Sequence, residues 1–380
     1  MIINQFLTRH FSPEEKSRES AHIRSFKMTE QTSKKISLNE LKNFGKSILV
    51  RHGMSEADAE ICAKILADTD SYGINSHGTK NLKGYVDKMA LGKLDPKAEP
   101  ETVREFGAIA AIDAHDCMGY VAGYKATRKA IELARKFGIG FVTVKNSCHF
   151  GAAFNYANMV AEAGFFGLVC SNTDPNMAVP GGRTMVIGNN PLAFALPVRG
   201  MHPVILDIAL SQVAALKINK AKVYGQKIPE GWMVDPDGRP TTDPNWYQNG
   251  GALLPMSAHK GYGLSMMVEA LTSIASGGLL VRDVNSWCFK MDSYNRASHA
   301  FIAVNMEAIN DRAQEKSLDY VNYILNSPKA AGTDEILCPG MIEWRKHDSA
   351  IKDGLVLPYD VVDSLESIAV QDGQKLNWLL

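Results

Sequence analysis

Between residues 108 and 207 the chain alternates between short apolar runs and longer amphipathic segments. Ala108–Asp113 and Gly140–Val144 are predicted strands, and Tyr124–Phe137 is a predicted helix between them that Gly138 closes. A strand, a helix and a second strand in this order form the repeating unit of α/β proteins, in which helices cover a β-sheet. The alternation therefore predicts an α/β fold for the middle of the chain.

Polar residues follow three of the predicted strands. The pattern continues with one more helix and three more strands, near Ala152–Glu162, Phe166–Cys170, Leu192–Leu196 and Val204–Asp207. Lys145–His149 follows one strand, Ser171–Pro175 follows another, and Asp207 ends the last. Because ligands of open α/β sheets bind beyond the carboxyl ends of the strands, we expect a ligand site at this edge. At any single position the same residue types also cap helices and turns.

The chain before the sheet is predicted to be helical. Ser37 and Glu40 have the spacing of a capping box, in which each side chain satisfies a free backbone N–H at a helix start. Three helices are expected, over 38–52, from about 55 onward, and over 79–91 with a stop at Gly92. Later in the chain, Pro-, Gly- and Asp-rich residues 229–255 predict a surface excursion, and 261–276 predict a helix.

Charge and composition exclude several classes of function. The chain has 41 Lys plus Arg against 41 Asp plus Glu, so it lacks a field that attracts nucleic acid or an acidic membrane, and a small-molecule partner is expected. Its 6 cysteines form no CxxC pair, which argues against a zinc site or a disulfide framework. No apolar run is long enough to span a membrane, so a cytoplasmic location is expected. Neither GxGxxG nor GxxxxGK[ST] occurs, so no Rossmann or P-loop site is predicted.

Two histidines and one lysine are candidates for chemistry. His77 lies on a loop between predicted helices, and His149 lies between a predicted strand and a predicted helix. The serine and glycine beside His77 would leave its imidazole approachable, and the imidazole of His149 could face a bound carbonyl and exchange a proton near neutral pH. Lys260 precedes a predicted helix, where an ammonium could meet a phosphate or a ribose hydroxyl. The alternatives are a solvated loop histidine, a capping or core histidine, and an ordinary exposed lysine.

An ordered series of short motifs runs through most of the chain. It consists of Ser76-His-Gly78, Leu82 with Tyr85-Val86, Asn146-Ser-Cys-His149 with Gly151, Thr173-Asp-Pro175, Gly188-Asn-Asn-Pro-Leu-Ala-Phe194, Leu206-Asp-Ile-Ala209, Ile228-Pro-Glu-Gly-Trp232, Thr241-Thr-Asp-Pro244, Lys260-Gly-Tyr-Gly263 and Pro339-Gly340. Each motif is weak alone, but their order over residues 35–345 is specific. With this series the chain resembles the type 2 malate/L-lactate dehydrogenases, a family that also contains ureidoglycolate dehydrogenase, diketogulonate reductase, sulfolactate dehydrogenase and piperideine-carboxylate reductase.

The resemblance implies a fold, a cofactor and an assembly. The fold would be α/β, with a nicotinamide-binding sheet domain of non-Rossmann topology over 107–276 and a second mixed α/β lobe built from both chain ends. The second lobe would take its helical part from 35–106 and its C-terminal part from 277–380, while the polar residues 1–34 are expected to be a mobile extension. NAD, with NADP as the alternative, would be the cofactor of a homodimer that acts on a small 2-hydroxyacid or 2-oxoacid.

Residue roles follow from the matched motif positions. His77 would be an acid/base group assisted by Ser76 and Asp207, whereas His149 matches the proton acceptor of the ureidoglycolate branch. Which of the two histidines transfers the proton stays open. Cofactor contacts are implied for Thr173, Asp207, Ile208, Ala209, Lys260, Gly340, Met341 and Ile342. No metal ligand is implied. The reaction would join hydride transfer to proton transfer through histidine.

Two positions depart from the family pattern. Asn81 stands where many members carry an arginine, whose planar fork grips a substrate carboxylate. Lys80 and Lys83 are the nearby substitutes, as point charges without bidentate geometry. Met341 stands where an acidic or amide residue often follows the Pro-Gly turn. The substrate and the choice between NAD and NADP are therefore left open.

Several functions compete. Malate or L-lactate is the substrate expected first, and ureidoglycolate oxidation and cyclic-imine reduction are alternatives within the enzyme class. Asn81 and Met341 motivate a catalytically impaired protein that binds the cofactor without oxidising any hydroxyacid. His77, His149 and Asp207 motivate a metal-dependent hydrolase, which full activity after exhaustive chelation would exclude.

Overall fold

The computed structural model describes residues 35–374, except for the side chain of Gln248, so the predicted extension over 1–34 lies outside the described residues. The strands are β1 (Lys35–Ile36), β2 (Glu101–Phe106), β3 (Ile109–Asp113), β4 (Ile139–Ser147), β5 (Phe166–Ser171), β6 (Leu192–Leu196), β7 (Val204–Ile208), β8 (Met233–Val234), β9 (Ala252–Leu253), β10 (Ala297–Val304) and β11 (Leu355–Val356). The helices are α1 (Leu38–Arg51), α2 (Glu56–Ser71), α3 (Leu82–Ala90), α4 (Gly119–Phe137), α5 (Phe154–Glu162), α6 (Ala215–Val223), α7 (His259–Glu269), α8 (Ala313–Leu325), α9 (Met341–Asp353) and α10 (Tyr359–Gln371).

A mixed sheet of seven strands forms the centre of the fold. Its strand order is β2-β3-β4-β10-β5-β6-β7, with β3 and β4 parallel and the other neighbours antiparallel. Because β10 is antiparallel to both β4 and β5, and β6 to both β5 and β7, the strands β4, β5 and β7 point the same way. The three polar clusters predicted at strand ends therefore lie at one edge of the sheet.

The two faces of the sheet are covered by different helices. Alternate residues divide between the faces, as in β5, where Val169 joins the largest core while Cys170 joins a separate cluster. The largest core also contains apolar residues of α4 and α5, and the separate cluster contains Val268 of α7. This layering confirms the predicted α/β class.

The sheet extends beyond the range 107–276 predicted for it. β2 lies before this range, and β10 lies after it, at the centre of the sheet. Val142 of β4 and Val169 of β5 both pair with Phe301 of β10, more than a hundred residues later. A local periodicity reports that a strand exists but not which distant strand it joins. How the chain divides into domains stays a prediction.

Several local predictions are confirmed and others are wrong. The capping box is present, since Ser37 Oγ accepts from Glu40 N at 3.2 Å and Glu40 Oε2 accepts from Ser37 N at 3.1 Å. Gly92 has a φ of +65°, as a helix stop requires. Residues 229–255 are not merely a surface excursion, because Met233 and Leu253 are fully buried in a small core.

Some helix bounds also differ from prediction. α4 starts at Gly119, five residues before the predicted start at Tyr124; its N-cap residue, Met118, makes no side-chain capping hydrogen bond, so the sequence carries no polar capping signal at this start. α6 was not predicted, since it buries only Ile218 and Ala221 and so has little amphipathic pattern. The predicted helix over 261–276 is α7 followed by a π-helical segment over Ala270–Ile274. Within residues 35–374, no helix has both the length and the apolar character that crossing a membrane requires.

Candidate functional site

The carboxylate of Asp70 holds the loop that carries Ser76 and His77. Asp70 lies in the last turn of α2, and its Oδ2 accepts hydrogen bonds from Thr79 N at 2.8 Å and Thr79 Oγ1 at 2.5 Å. Its Oδ1 accepts one from the Asn75 side chain at 2.8 Å. Although these donors favour the charged form, burial dominates and raises the pKa of Asp70 to about 6. The two ends of the loop are therefore tied to one buried acceptor.

Gly78 makes this closure possible. A Cβ atom at Gly78 would lie 2.0 Å from Asp70 Oδ1, so a larger residue would displace the carboxylate. Within the loop, His77 N donates to Ile74 O at 3.0 Å, and Ser76 Oγ lies 2.8 Å from His77 Nδ1. The serine predicted to assist His77 is in hydrogen-bonding contact with it.

Two aromatic residues fix the orientation of His149. The imidazole follows β4, and its Nδ1 lies 2.6 Å from the hydroxyl of Tyr85 on α3. The indole of Trp287 stacks on both rings, with centroid distances of 4.5 Å to His149 and 4.9 Å to Tyr85 and interplanar angles of 8° and 19°. The planes of the imidazole and the phenol differ by 19°, and both rings therefore lie against the same indole.

The two candidate histidines lie side by side. Their ring centroids are 5.6 Å apart, with an interplanar angle of 34°. Burial lowers the pKa of His77 to about 4, and burial together with the neighbouring His77 and His299 lowers that of His149 well below its usual value. Both rings are therefore neutral at pH 7. Among residues 35–374 neither Nε2 has a hydrogen-bond partner, so each ring keeps one nitrogen for a ligand.

Tyr120, in the first turn of α4, contacts both Tyr85 and the His77 loop. Its hydroxyl lies 3.2 Å from the hydroxyl of Tyr85 and 3.4 Å from the backbone oxygen of His77. Gly119 allows the start of α4 to pack closely, because a Cβ atom there would lie 2.3 Å from the backbone oxygen of Cys148. The start of α4 is therefore packed directly on the backbone before His149.

Lys88 fastens the segment that carries Trp287. Its side chain is fully buried on α3, and its Nζ donates to the backbone oxygens of Lys290 at 3.1 Å and Ser293 at 2.6 Å. Burial lowers the pKa of Lys88. Because Lys88 and Tyr85 lie about one turn apart on the same helix, α3 holds both the phenol and the segment of the indole that covers it.

Asp207 has its contacts with helix α5 rather than with His77. Its Oδ2 accepts a hydrogen bond from Phe154 N at 2.9 Å, at the start of α5. Burial raises the pKa of Asp207 to about 6, although this bond and one from the Ala153 backbone favour the charged form. Within residues 35–374, no hydrogen bond joins Asp207 to His77, and no three His, Cys, Asp or Glu side chains form a group that could hold a metal ion. The carboxylate stabilises the start of α5.

Three segments predicted to contact a cofactor are linked through Leu210, just after β7. The Thr173 hydroxyl donates to Asn189 Oδ1 at 3.0 Å, and Leu210 N donates to Asn189 O at 2.8 Å. Met256 N, shortly before α7, donates to Leu210 O at 2.8 Å. Lys260 is exposed in the first turn of α7. Thr173, the end of β7 and Lys260 are therefore on neighbouring segments.

The Gly340 turn packs on the strand that carries Asp207. Ile205 N donates to Pro339 O at 3.1 Å, and a Cβ atom at Gly340 would lie 3.1 Å from the backbone of Ile205. Asp207 and Gly340 both line a cavity of about 270 Å³. Met341 and Ile342 start α9; the sulfur of Met341 accepts from Cys338 N at 3.2 Å, and the side chain of Ile342 is exposed.

The residues predicted for substrate contact have partners of their own. Lys80 pairs with Asp360, and Lys83 pairs with Asp87, each at 2.5 Å. The Asn81 side chain donates to Ser76 O at 2.9 Å. Asn81 therefore braces the Ser76–Gly78 loop, and the two lysine charges are already matched by carboxylates.

Sequence reasoning assigned no role to five residues of this site. Tyr85 belonged to a quoted motif, so its position eight residues after His77 was an available signal. The others, Asp70, Lys88, Tyr120 and Trp287, acquire their roles through contacts that no local pattern reports.

Comparisons with known proteins agree with the motif series. The family model described as malate/L-lactate dehydrogenase matches residues 36–366. The malate dehydrogenase of Pyrococcus abyssi is 36% identical over 350 residues, which cover 90% of this chain and 96% of that protein. The L-sulfolactate dehydrogenase of Methanocaldococcus jannaschii is 34% identical over 345 residues, which cover 90% of this chain and 96% of that protein.

Solved structures give the same result. The structure of sulfolactate dehydrogenase from Methanocaldococcus jannaschii matches with a TM-score of 0.83 and 33% identity, over 90% of this chain and 98% of that one. The match to the family model extends over nearly all of the described residues, including both histidine loops and the Gly340 turn, and the sequence relatives cover a similar share of the chain. The chain therefore belongs to the malate/L-lactate dehydrogenase family.

Proposed function

We propose that the protein is an NAD(P)-dependent oxidoreductase that interconverts a small 2-hydroxyacid and its 2-oxoacid, with malate or L-lactate as the first expected substrates. The observation that carries this proposal is the pair of neutral imidazoles, 5.6 Å apart, whose Nε2 atoms have no hydrogen-bond partner among residues 35–374, in a chain of this dehydrogenase family. A neutral imidazole can accept the proton that leaves a hydroxyl as it becomes a carbonyl.

His149 is the better proton acceptor of the two. Its ring is held on one edge by Tyr85 and on one face by Trp287, so its Nε2 has a fixed position. His77 lies beside it, with Ser76 on its Nδ1, and is suited to hold the oxygen of the substrate by hydrogen bonding. The resemblance to the ureidoglycolate branch, whose proton acceptor His149 matches, supports the same assignment.

The residues present fit a nicotinamide cofactor. The Gly340 turn and Asp207 line one cavity of about 270 Å³, and Thr173, Leu210 and the segment before Lys260 are joined by hydrogen bonds at the same sheet edge. Thr173, Asp207–Ala209, Lys260 and Gly340–Ile342 would hold the cofactor, which supplies or takes up the hydride when bound. In the seven-stranded sheet that the described residues form, only β3 and β4 are parallel neighbours, whereas the sheet of a Rossmann domain is mostly parallel. This difference supports a cofactor-binding domain of non-Rossmann topology.

A homodimer in the cytoplasm is part of the proposal. Exposed apolar side chains on α7 and the segment after it support an interface there, since Met267 is 57% and Ile274 64% exposed. Sedimentation of the purified protein measures the assembly directly, and a monomer at micromolar concentration would contradict the proposed dimer.

The first experiment follows oxidation of NADH or NADPH by absorbance at about 340 nm. The panel contains oxaloacetate, pyruvate, other 2-oxoacids and cyclic imines, with malate, L-lactate and ureidoglycolate in the reverse direction. Turnover of 2-oxoacids is expected, and turnover of cyclic imines or ureidoglycolate alone would select those alternatives. Cofactor binding with a silent panel would favour the impaired protein that Asn81 and Met341 motivate.

Replacing Asn81 by arginine is expected to lower KM for a dicarboxylate substrate by about tenfold, because a guanidinium binds a carboxylate through two charge-assisted hydrogen bonds. Asn81→Ala is the matched control, since it removes the hydrogen bond to Ser76 O without adding charge. Steady-state kinetics of both variants measure the effect. Equal KM values for the two variants would place this side chain outside the substrate pocket.

A further inference from the structure

The hydrogen bonds that begin at His149 have a defined direction, because they end on a group that can only accept. The backbone oxygen of His77 has no proton, so the Tyr120 hydroxyl, 3.4 Å away, donates to it. The Tyr120 oxygen is then an acceptor for the hydroxyl of Tyr85 at 3.2 Å. The Tyr85 oxygen is in turn an acceptor for an N–H at His149 Nδ1, at 2.6 Å.

The opposite direction satisfies fewer groups. If Tyr85 donated to His149 Nδ1, Tyr120 would donate to Tyr85, and the backbone oxygen of His77 would lose this donor. Three hydrogen bonds would become two. Tyr85 and Tyr120 are both 0% exposed, so water cannot easily replace the lost bond, and buried polar groups without partners are costly.

We propose that Tyr120 is a positioning residue that, through Tyr85, fixes His149 as the tautomer with the proton on Nδ1 and the lone pair on Nε2. The catalytic meaning of this tautomer rests on the proposed function, whereas the tautomer itself does not. In the oxidation of a 2-hydroxyacid, the proton of the hydroxyl group would pass to Nε2. The hydride would leave the carbon that bears this hydroxyl group and pass to the oxidised nicotinamide. The resulting imidazolium already donates from Nδ1 to Tyr85, so no second proton has to move.

The same chain of bonds joins the two histidine loops. It starts on the side chain of His149 and ends on the backbone of His77, and both intermediate phenols lie on helices, α3 and α4. A displacement of either loop would therefore break this series of hydrogen bonds, and His149 would no longer be held as the tautomer with the proton on Nδ1. Assembly of the site and the ability of His149 to accept a proton are linked by this geometry.

Tyr120→Phe tests the proposal, and Tyr156→Phe is its matched control. Tyr156 is equally buried, and its hydroxyl donates to Phe150 O at 2.6 Å without touching either candidate histidine. In Tyr120→Phe the hydroxyl of Tyr85 loses its acceptor, so its proton turns toward His149 Nδ1 and the Nε2–H tautomer becomes the major form. We expect kcat to fall by about fivefold with KM little changed, as the net strength of one hydrogen bond suggests.

The tautomer is measured by two-bond ¹H–¹⁵N correlation on protein labelled with ¹⁵N-histidine, with the His149 signals assigned by their loss in His149→Gln. The Nδ1–H form is expected in the wild type and in Tyr156→Phe, and the Nε2–H form in Tyr120→Phe. An Nε2–H wild type, or the same tautomer in all three proteins, would overturn the proposal. The expected tautomers in a protein without turnover would instead uphold it and contradict the proposed function.

Discussion

Replacing His149 by glutamine is expected to lower kcat by about a hundredfold or more, because an amide cannot accept the proton of the substrate hydroxyl. Glutamine retains polar contact with Tyr85 and much of the bulk beneath Trp287, so the site should keep its shape. The dissociation constant of the reduced cofactor should change little, since the residues proposed to hold it lie elsewhere. Stopped-flow turnover and cofactor fluorescence measure the two quantities separately.

Two other histidines calibrate this result. His202 is an exposed residue paired with Asp348, so His202→Gln should retain wild-type kcat. His77→Gln should also lower kcat, with a larger effect on KM than in His149→Gln, if His77 holds the substrate oxygen. Wild-type turnover in both the His77 and His149 variants would remove proton transfer by histidine from the mechanism.

The sequence was most informative where structure depends on near neighbours. The capping box of Ser37 and Glu40 and the left-handed stop at Gly92 both follow from short-range patterns. The polar clusters after β4, β5 and β7 are also visible in the sequence, whereas the common direction of these strands depends on their pairing with β10 and β6. Local rules therefore located the site at the level of strand ends.

Contacts between distant residues were not predictable in this way. Lys88 binds backbone oxygens of Lys290 and Ser293, which are 202 and 205 residues away, and no periodicity reports such a pair. A lysine on an amphipathic helix ordinarily predicts a solvated position. Trp287 likewise has no local pattern that indicates its stacking on His149. The ordered motifs matched both histidines to site positions of the family, but the groups that orient the two rings are visible only in the fold.

The site depends on buried polar groups that link separate parts of the chain. Lys88 ties α3 to the segment of Trp287, and Tyr120 ties α4 to Tyr85 of α3 and to the His77 loop. In each case a buried donor or acceptor would be left without a partner if the segments separated, which is costly in a medium of low dielectric constant. The positions of His77 and His149 are therefore stabilised by the fold rather than by the loops alone.

Replacing Asp70 by asparagine is expected to lower the free energy of unfolding by roughly 2 kcal/mol at pH 7, because the new amide presents a donor where the carboxylate accepted three hydrogen bonds. The Ser76–Gly78 loop would lose its anchor, and kcat should fall by at least about tenfold, since small displacements of reacting groups are costly. Urea unfolding and steady-state kinetics measure the two effects.

The difference in the free energy of unfolding between wild type and Asp70→Asn should also depend on pH. The pKa of Asp70 is about 6 in the folded protein, above the usual 3.8, so the folded state binds more protons than the unfolded state between these values. The carboxyl therefore adds stability as pH falls from 7 to 5 and loses this contribution as pH rises through 6. Because asparagine does not titrate, the gap between wild type and Asp70→Asn should widen by roughly 1 kcal/mol at pH 5.

Asp58→Asn is the matched control for this variant. Asp58 is a buried carboxylate at the other end of α2, where it accepts from Ser55 Oγ at 2.8 Å, far along the helix from the histidine loop. Its replacement should cost stability and leave kcat within about twofold of wild type, since it touches no residue of the loop. A loss of kcat that is equal in the two variants would mean that α2 as a whole, and not the anchor at Asp70, positions His77.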